Sequence, residues 1–274
     1  MIERWSIHPS IPIGLTILAG AYALAAGPLR RRYGWSEWPP DALQVATFSL
    51  GLLVFFLALT GPIHDLSDSY LFTAHMVQHL IITLIAPPLI LLGTPDWMIR
   101  PILRRRILGG LARTLTRAPV AFLVYNLTLA FWHLPALYNE TLLLLRVHIL
   151  EHLLFIVTAF LVWWPVLSPV PEMRLRVPMQ VLYLVLLTLP MKALGALLTM
   201  ADDVLYPAYA LAPRVFGLGA FEDQKLGGVL MWEPSGFLFW AAAGIVFYRW
   251  WQSEHRAETR LAEEAGSESA GRVS

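Results

Sequence analysis

Seven stretches of predominantly apolar residues recur along this chain, at about 11–29, 42–60, 70–93, 119–138, 143–167, 178–200 and 228–251. A helix needs roughly 20 such residues to cross about 30 Å of hydrocarbon. Inside lipid every backbone N–H and C=O must find its partner within the protein, which leaves helices and closed barrels as spanning structures. Stretches of this length select the helix. The chain is therefore expected to be all-α, a polytopic bundle of seven transmembrane helices over residues 1–251, followed by a charged tail at 252–274 that begins as a helix extension and frays into disorder. Composition agrees: 57% of residues are hydrophobic and 14% charged, against about 25% charged in soluble domains. The first stretch lacks a basic flank before it and a small-residue cleavage site after it, so it is read as a retained span. Spans four and five are separated by a short polar tip, Asn139-Glu140-Thr141, which predicts a tight helical hairpin. Pro87, Pro88, Pro165 and Pro190 predict kinks or helix ends.

Charge orients the bundle. One set of loops and the tail carry fifteen basic residues, among them Arg30, Arg31, Arg32, Arg100, Arg104, Arg105, Arg106, Arg113 and Arg117. The other set carries four, Arg4, Arg146, Arg214 and Lys225. The positive-inside rule assigns the first set to the cytoplasm, with the N-terminus outside and the C-terminus in the cytoplasm. The net charge of +1 points to no nucleic-acid partner; the partner this composition demands is the lipid bilayer. The chain has no cysteine, which excludes disulfides, thiolate metal sites, iron–sulfur clusters and cysteine nucleophiles.

In that orientation six of the eight histidines and four of the eight methionines fall at the outer ends of spans or in an outer loop. Span three opens with His75, Met76 and His79, span four ends with His133, and span five opens with His148, Glu151 and His152. The loop before span three holds His64, Asp65 and Asp68. Span six carries Met191 and Lys192 and ends with Met200, Asp202 and Asp203; span seven carries Met231, Trp232 and Glu233. Ionisable groups inside spans are costly and mark functional positions. His75 and His79 are four apart, as are His148 and His152, so each pair projects from one helix face. Two such pairs on facing helices supply four imidazole nitrogens to one metal ion. His75, His79, His148 and His152 are the expected ligands, with His64, His133 and Met231 as auxiliaries and Asp65 and Glu151 as acceptors that orient the imidazoles. Imidazole with thioether favours cuprous copper. The bland alternative is a network of histidines that only hydrogen-bonds water, headgroups or neighbouring helices. Lys192 is expected to pair with Asp202, Asp203 or Glu233; a retinal-type lysine would need a carboxylate at mid-membrane depth, and none is placed there.

Several runs carry a resemblance: Thr73-Ala-His-Met-Val-Gln-His-Leu80 with Ala86-Pro-Pro-Leu-Ile-Leu-Leu-Gly93, Phe131-Trp-His133, His148-Ile-Leu-Glu-His152 with Trp163-Trp-Pro165, and Asp223-Gln-Lys-Leu-Gly-Gly-Val-Leu-Met-Trp232. Together they resemble the seven-span cytochrome c oxidase assembly factors of the CtaG type found in bacterial plasma membranes, over about residues 40 to 250. The resemblance implies a role in maturing a haem–copper oxidase, with copper delivery or insertion as the task, oxidase subunits as partners and an extracytoplasmic copper chaperone as a possible donor. It implies no enzyme activity.

Three other readings compete. His148-x-x-Glu151-His152 matches the inverted zinc-peptidase pattern, in which two histidines hold zinc and Glu151 activates water; its third ligand would have to come from elsewhere, Glu233 being the nearest in-span carboxylate. Histidines on facing spans can also ligate haem, although no small-residue slot for the ring stands out in spans three and five. The third is a cofactor-free scaffold for oxidase subunits.

Overall fold

The computed structural model describes residues 7–271, with side chains through Arg256. Twelve helices form the described chain: α1 (Ser10–Leu24, continuing through a π-helical turn to Tyr33), α2 (Ala42–Leu59), α3 (Gly61–Ser69), α4 (Phe72–Leu92), α5 (Asp96–Leu103), α6 (Arg106–Leu115), α7 (Ala118–Trp132), α8 (Pro135–Leu143), α9 (Leu145–Leu167), α10 (Val177–Met200), α11 (Pro207–Leu211) and α12 (Ala220–Gly271). No strand occurs among the described residues.

Six of these, α1, α2, α4, α9, α10 and α12, are long and apolar enough to cross a membrane, which makes the chain a multi-pass membrane protein. The expected fourth span is built differently. α6 and α7 meet at 73°, and α7 alone has 15 residues, or about 22 Å at ~1.5 Å per residue. The predicted tip also takes another form: Asn139, Glu140 and Thr141 lie inside α8, not in a turn. His133 and Leu134 end α7, and Pro135 starts the next helix, because a missing N–H and a fixed φ suit a first turn. Prolines likewise occupy the first turn of α3, α7, α10 and α11. Pro87 and Pro88 follow a π-helical turn, Ile81–Ile85, within α4, the local unwinding that frees α4 from the proline clash. Pro165 and Pro190 sit inside α9 and α10 without ending them. The predicted fraying of the tail falls partly on residues 272–274, outside the described residues.

α4 is the hub. Its first half packs on α3 and α12, its second half on α2 and α9, while α10 and α12 make the most extensive pairing of the bundle. The larger core joins Phe72, Met76, Leu84, Phe155, Leu187 and Phe239 from α4, α9, α10 and α12; a smaller one joins Phe48, Phe55, Ile82 and Ile90. α1 lies at the periphery, stacking Tyr22 on Phe48 at 3.9 Å and donating from the Tyr22 hydroxyl to the Gly93 carbonyl. Large apolar side chains such as Leu53, Leu127, Leu189 and Phe237 face outward, where lipid replaces water as the apolar solvent. The arginine-rich segments gather at one end, where Arg100 bridges Asp96 and Glu172 at 2.7 and 3.0 Å. Histidine gathers at the other.

Candidate metal centre

The start of α4 is fixed by a residue far along the chain. The buried Asp223 carboxylate accepts from the N–H groups of Phe72 and Thr73 at 2.8 and 3.0 Å, and the Thr73 hydroxyl donates to the Asp223 carbonyl. This satisfies two donors left over at a helix N-terminus and places a negative charge on its positive end. The next residue, Gln224, accepts from the Leu205 N–H at 2.7 Å. α4 is thereby set so that His75 and His79 face His148, Glu151 and His152 of α9.

His75, His79, Glu151 and His152 are all buried and offer one donor atom each within 4.8 Å of one another. Glu151 is fully buried, and its Oε1 lies 3.9 Å from Nε2 of both His75 and His79. A tetrahedral ion with bonds of about 2.0–2.1 Å holds its donors about 3.4 Å apart, so Glu151 Oε1 would have to close on each of these two nitrogens by about half an ångström to share an ion with them. Both Glu151 oxygens, Nε2 of His75, Nε2 of His152 and both ring nitrogens of His79 are buried without a hydrogen-bond partner. Among the described residues, eight of the twelve such atoms belong to histidines or Glu151. Each unpaired buried polar atom costs about 1–3 kcal/mol, and these atoms are concentrated at one place.

The surrounding hydrogen bonds prepare this set. The Tyr209 hydroxyl donates to the Ser67 carbonyl at 2.5 Å and so can only accept from His75 Nδ1, 3.2 Å away. His75 therefore carries its proton on Nδ1 and turns a lone pair at Nε2 toward Glu151, the arrangement in which an outer partner fixes a ligand tautomer. Burial pushes the Tyr209 hydroxyl well above its ordinary pKa, which keeps it protonated. Tyr138 packs on His75 with ring centroids 5.2 Å apart, and Tyr206 donates to the His133 carbonyl at 3.0 Å. These tyrosines come from α8, from α11 and from the residue preceding α11, which fold over the histidine end.

A second group stands beside the first: His64 and Asp68 of α3 with His148. His148 Nε2 lies 3.5 Å from Asp68 Oδ1, and its Nδ1 lies 3.9 Å from Glu151 Oε2. His64 is engaged otherwise. The Gln78 amide accepts from Ser67 and donates to the Ala58 carbonyl and to His64 Nδ1, so that nitrogen is an acceptor already in use. A groove of about 350 Å³ between α1, α2 and α9 reaches His64, His148 and His152 from the side.

The four expected ligands thus converge on one region but divide between two groups, with Glu151 beside three imidazoles as a donor in its own right. Asp68 rather than Asp65 faces the imidazoles. The two histidines of the peptidase-like pattern fall in different groups, although their rings are 4.2 Å apart. His133 and Met231 lie on the other side of His79, lining a cavity with it. Met200 faces outward. Lys192 forms no ion pair with Asp202, Asp203 or Glu233 among the described residues; it lies over Gly236, whose missing side chain makes the room. Sequence reading missed Gln78, Ser67 and Tyr209. Gln78 had a visible signal, a polar residue one position before His79 in an apolar helix; Tyr209 had none.

The described chain is a helical membrane protein with a buried cluster of imidazoles and one carboxylate at one end of its bundle. The chain belongs to the family of cytochrome c oxidase caa3 assembly factors, Caa3_CtaG, whose model matches residues 20–253. No curated protein and no solved structure matches it significantly.

Proposed function

We propose that this chain matures a haem–copper oxidase by holding copper at His75, His79, Glu151 and His152 and presenting it to an oxidase subunit. The observation that carries this reading is the fully buried Glu151 carboxylate, with no hydrogen bond at either oxygen and ringed by imidazoles that each keep at least one nitrogen without a hydrogen bond. Imidazole ligates copper in either oxidation state, and for divalent first-row metals a nitrogen-rich site binds copper most tightly. The close packing of the rings, with centroids 4.2 to 5.3 Å apart between neighbours, favours a bare ion over a haem.

In this reading α6 and α7 together make the seventh crossing, the arginine end faces the cytoplasm, and the histidine end faces outward from a bacterial plasma membrane. An outward site can be loaded by an extracytoplasmic copper chaperone. The groove beside α1 gives His148 and His152 a lateral opening toward a partner's helices.

The test is made in cells that lack the native chain and carry either the wild type or Glu151→Gln. The oxidase is then purified and its copper-to-haem ratio measured. Wild type should restore full copper, and Glu151→Gln should leave an oxidase that holds haem but is depleted of copper. A fully copper-loaded oxidase in cells with Glu151→Gln would overturn the proposal.

A further inference from the structure

Beside His79, α4, α7, α9, α10 and α12 enclose a cavity of about 10 Å³, lined by Met76, His79, His133, Met191 and Met231 together with Thr83, Tyr125 and apolar side chains. That is about the room of one water or one ion. All three methionines are at least 97% buried, and His133 is 95% buried. His133 Nδ1 is 2.8 Å from the Leu129 carbonyl, and since a carbonyl only accepts, the proton sits on Nδ1. The lone pair at Nε2 is then directed away from that bond, buried and without a partner. A backbone carbonyl on one ring nitrogen, with the other left free, is the usual setting of a metal-bound histidine. Methionine alone is ordinary core filler; here three methionines line one small cavity with an imidazole held in the ligating tautomer.

That set differs in kind from the neighbouring one. Thioethers select soft, monovalent metal. No carboxylate lines the cavity, and the cost of burying a charge rises steeply with its magnitude, so a divalent ion there would be uncompensated. His79 belongs to both places: it lines the cavity and also reaches Glu151.

We propose that this cavity is a second metal position, selective for cuprous copper, with His133 Nε2 and the thioethers of Met76, Met191 and Met231 as donors and His79 as the side chain shared with the His/Glu group. It rests on the copper reading above and adds that the chain separates copper between a nitrogen–oxygen site and a nitrogen–sulfur site one imidazole apart.

Silver(I), a redox-inert monovalent probe, tests it on the purified full-length chain in detergent. X-ray absorption at the silver edge should show sulfur neighbours. Met76→Leu/Met231→Leu should weaken silver binding at least tenfold while leaving cupric binding unchanged. Glu151→Gln should do the reverse. A silver spectrum with only nitrogen and oxygen neighbours would overturn the proposal, and so would unchanged silver affinity in the leucine variant or loss of silver binding in Glu151→Gln. If the leucine variant does not fold, the wild-type spectrum decides alone. Failure of the copper reading shows separately, as a wild type that binds no cupric ion.

Discussion

Single side chains decide whether the histidine end can hold an ion. His75 keeps a free lone pair at Nε2 because Tyr209, donating to the Ser67 carbonyl, leaves only an acceptor for Nδ1. Tyr209→Phe removes that acceptor and should lower copper affinity by about 10–100-fold, the usual cost of losing an outer partner of a metal ligand. The number of ions bound should not change, which separates the effect from loss of a ligand in a titration. Asp223 acts one step further out, by capping α4. Asp223→Ala leaves one buried and one partly buried N–H group unpaired and should destabilise the chain by about 1–3 kcal/mol, measured by chemical unfolding in detergent. The histidines and Glu151 were legible from sequence, since charge and imidazole inside apolar runs are costly enough to stand out. Tyr209 was not, and Asp68 and Gln78 showed only as polar residues without their roles, because what these residues do depends on segments up to 142 residues away. The division of the four histidines was hidden for the same reason: i,i+4 spacing gives a shared face, but the opposing element decides which neighbour each ring meets.

At the scale of helices, hydropathy located six spans but passed over the short helices α3, α8 and α11, whose sequences are too polar or too brief to register. Those three supply Ser67, Asp68, Tyr138 and Tyr209, and so close the histidine end. Asn139 reads as a turn residue, yet within α8 it accepts from the Ala208 N–H at 3.1 Å and so ties α8 to α11, a tertiary bond that outweighs local preference. The pairing of α10 with α12 depends on close backbone approach. A Cβ at Gly195 would come within 2.8 Å of the Gly228 carbonyl, and one at Gly228 within 2.5 Å of the Thr199 hydroxyl. Small residues let membrane helices meet this way. Gly195→Val should push the pair apart and lower the unfolding temperature in detergent, whereas Ala193→Leu, on the exposed face of the same helix, should leave it near the wild-type value.

The whole molecule is polarised, with arginine at one end and imidazole at the other, and that polarity was fully legible in the order of residues along the chain. The arginine count predicts which end meets the cytoplasm. Ser67 is buried and hydrogen-bonded, so a thiol there would be shielded; Ser69 and Ser253 are exposed at opposite ends. Ser69→Cys should react with an impermeant reagent in intact cells and Ser253→Cys only after lysis; the opposite pattern would reverse the orientation. The claim on which the rest depends is that the buried imidazoles and Glu151 exist for copper. The most direct measurement is a cupric titration of the purified full-length chain beside Glu151→Gln and His75→Ala/His152→Ala, with folding checked by thermal unfolding. One ion bound tightly by the wild type and lost from both folded variants is the predicted result. A folded wild type that binds no copper, or variants that bind it as the wild type does, would contradict it.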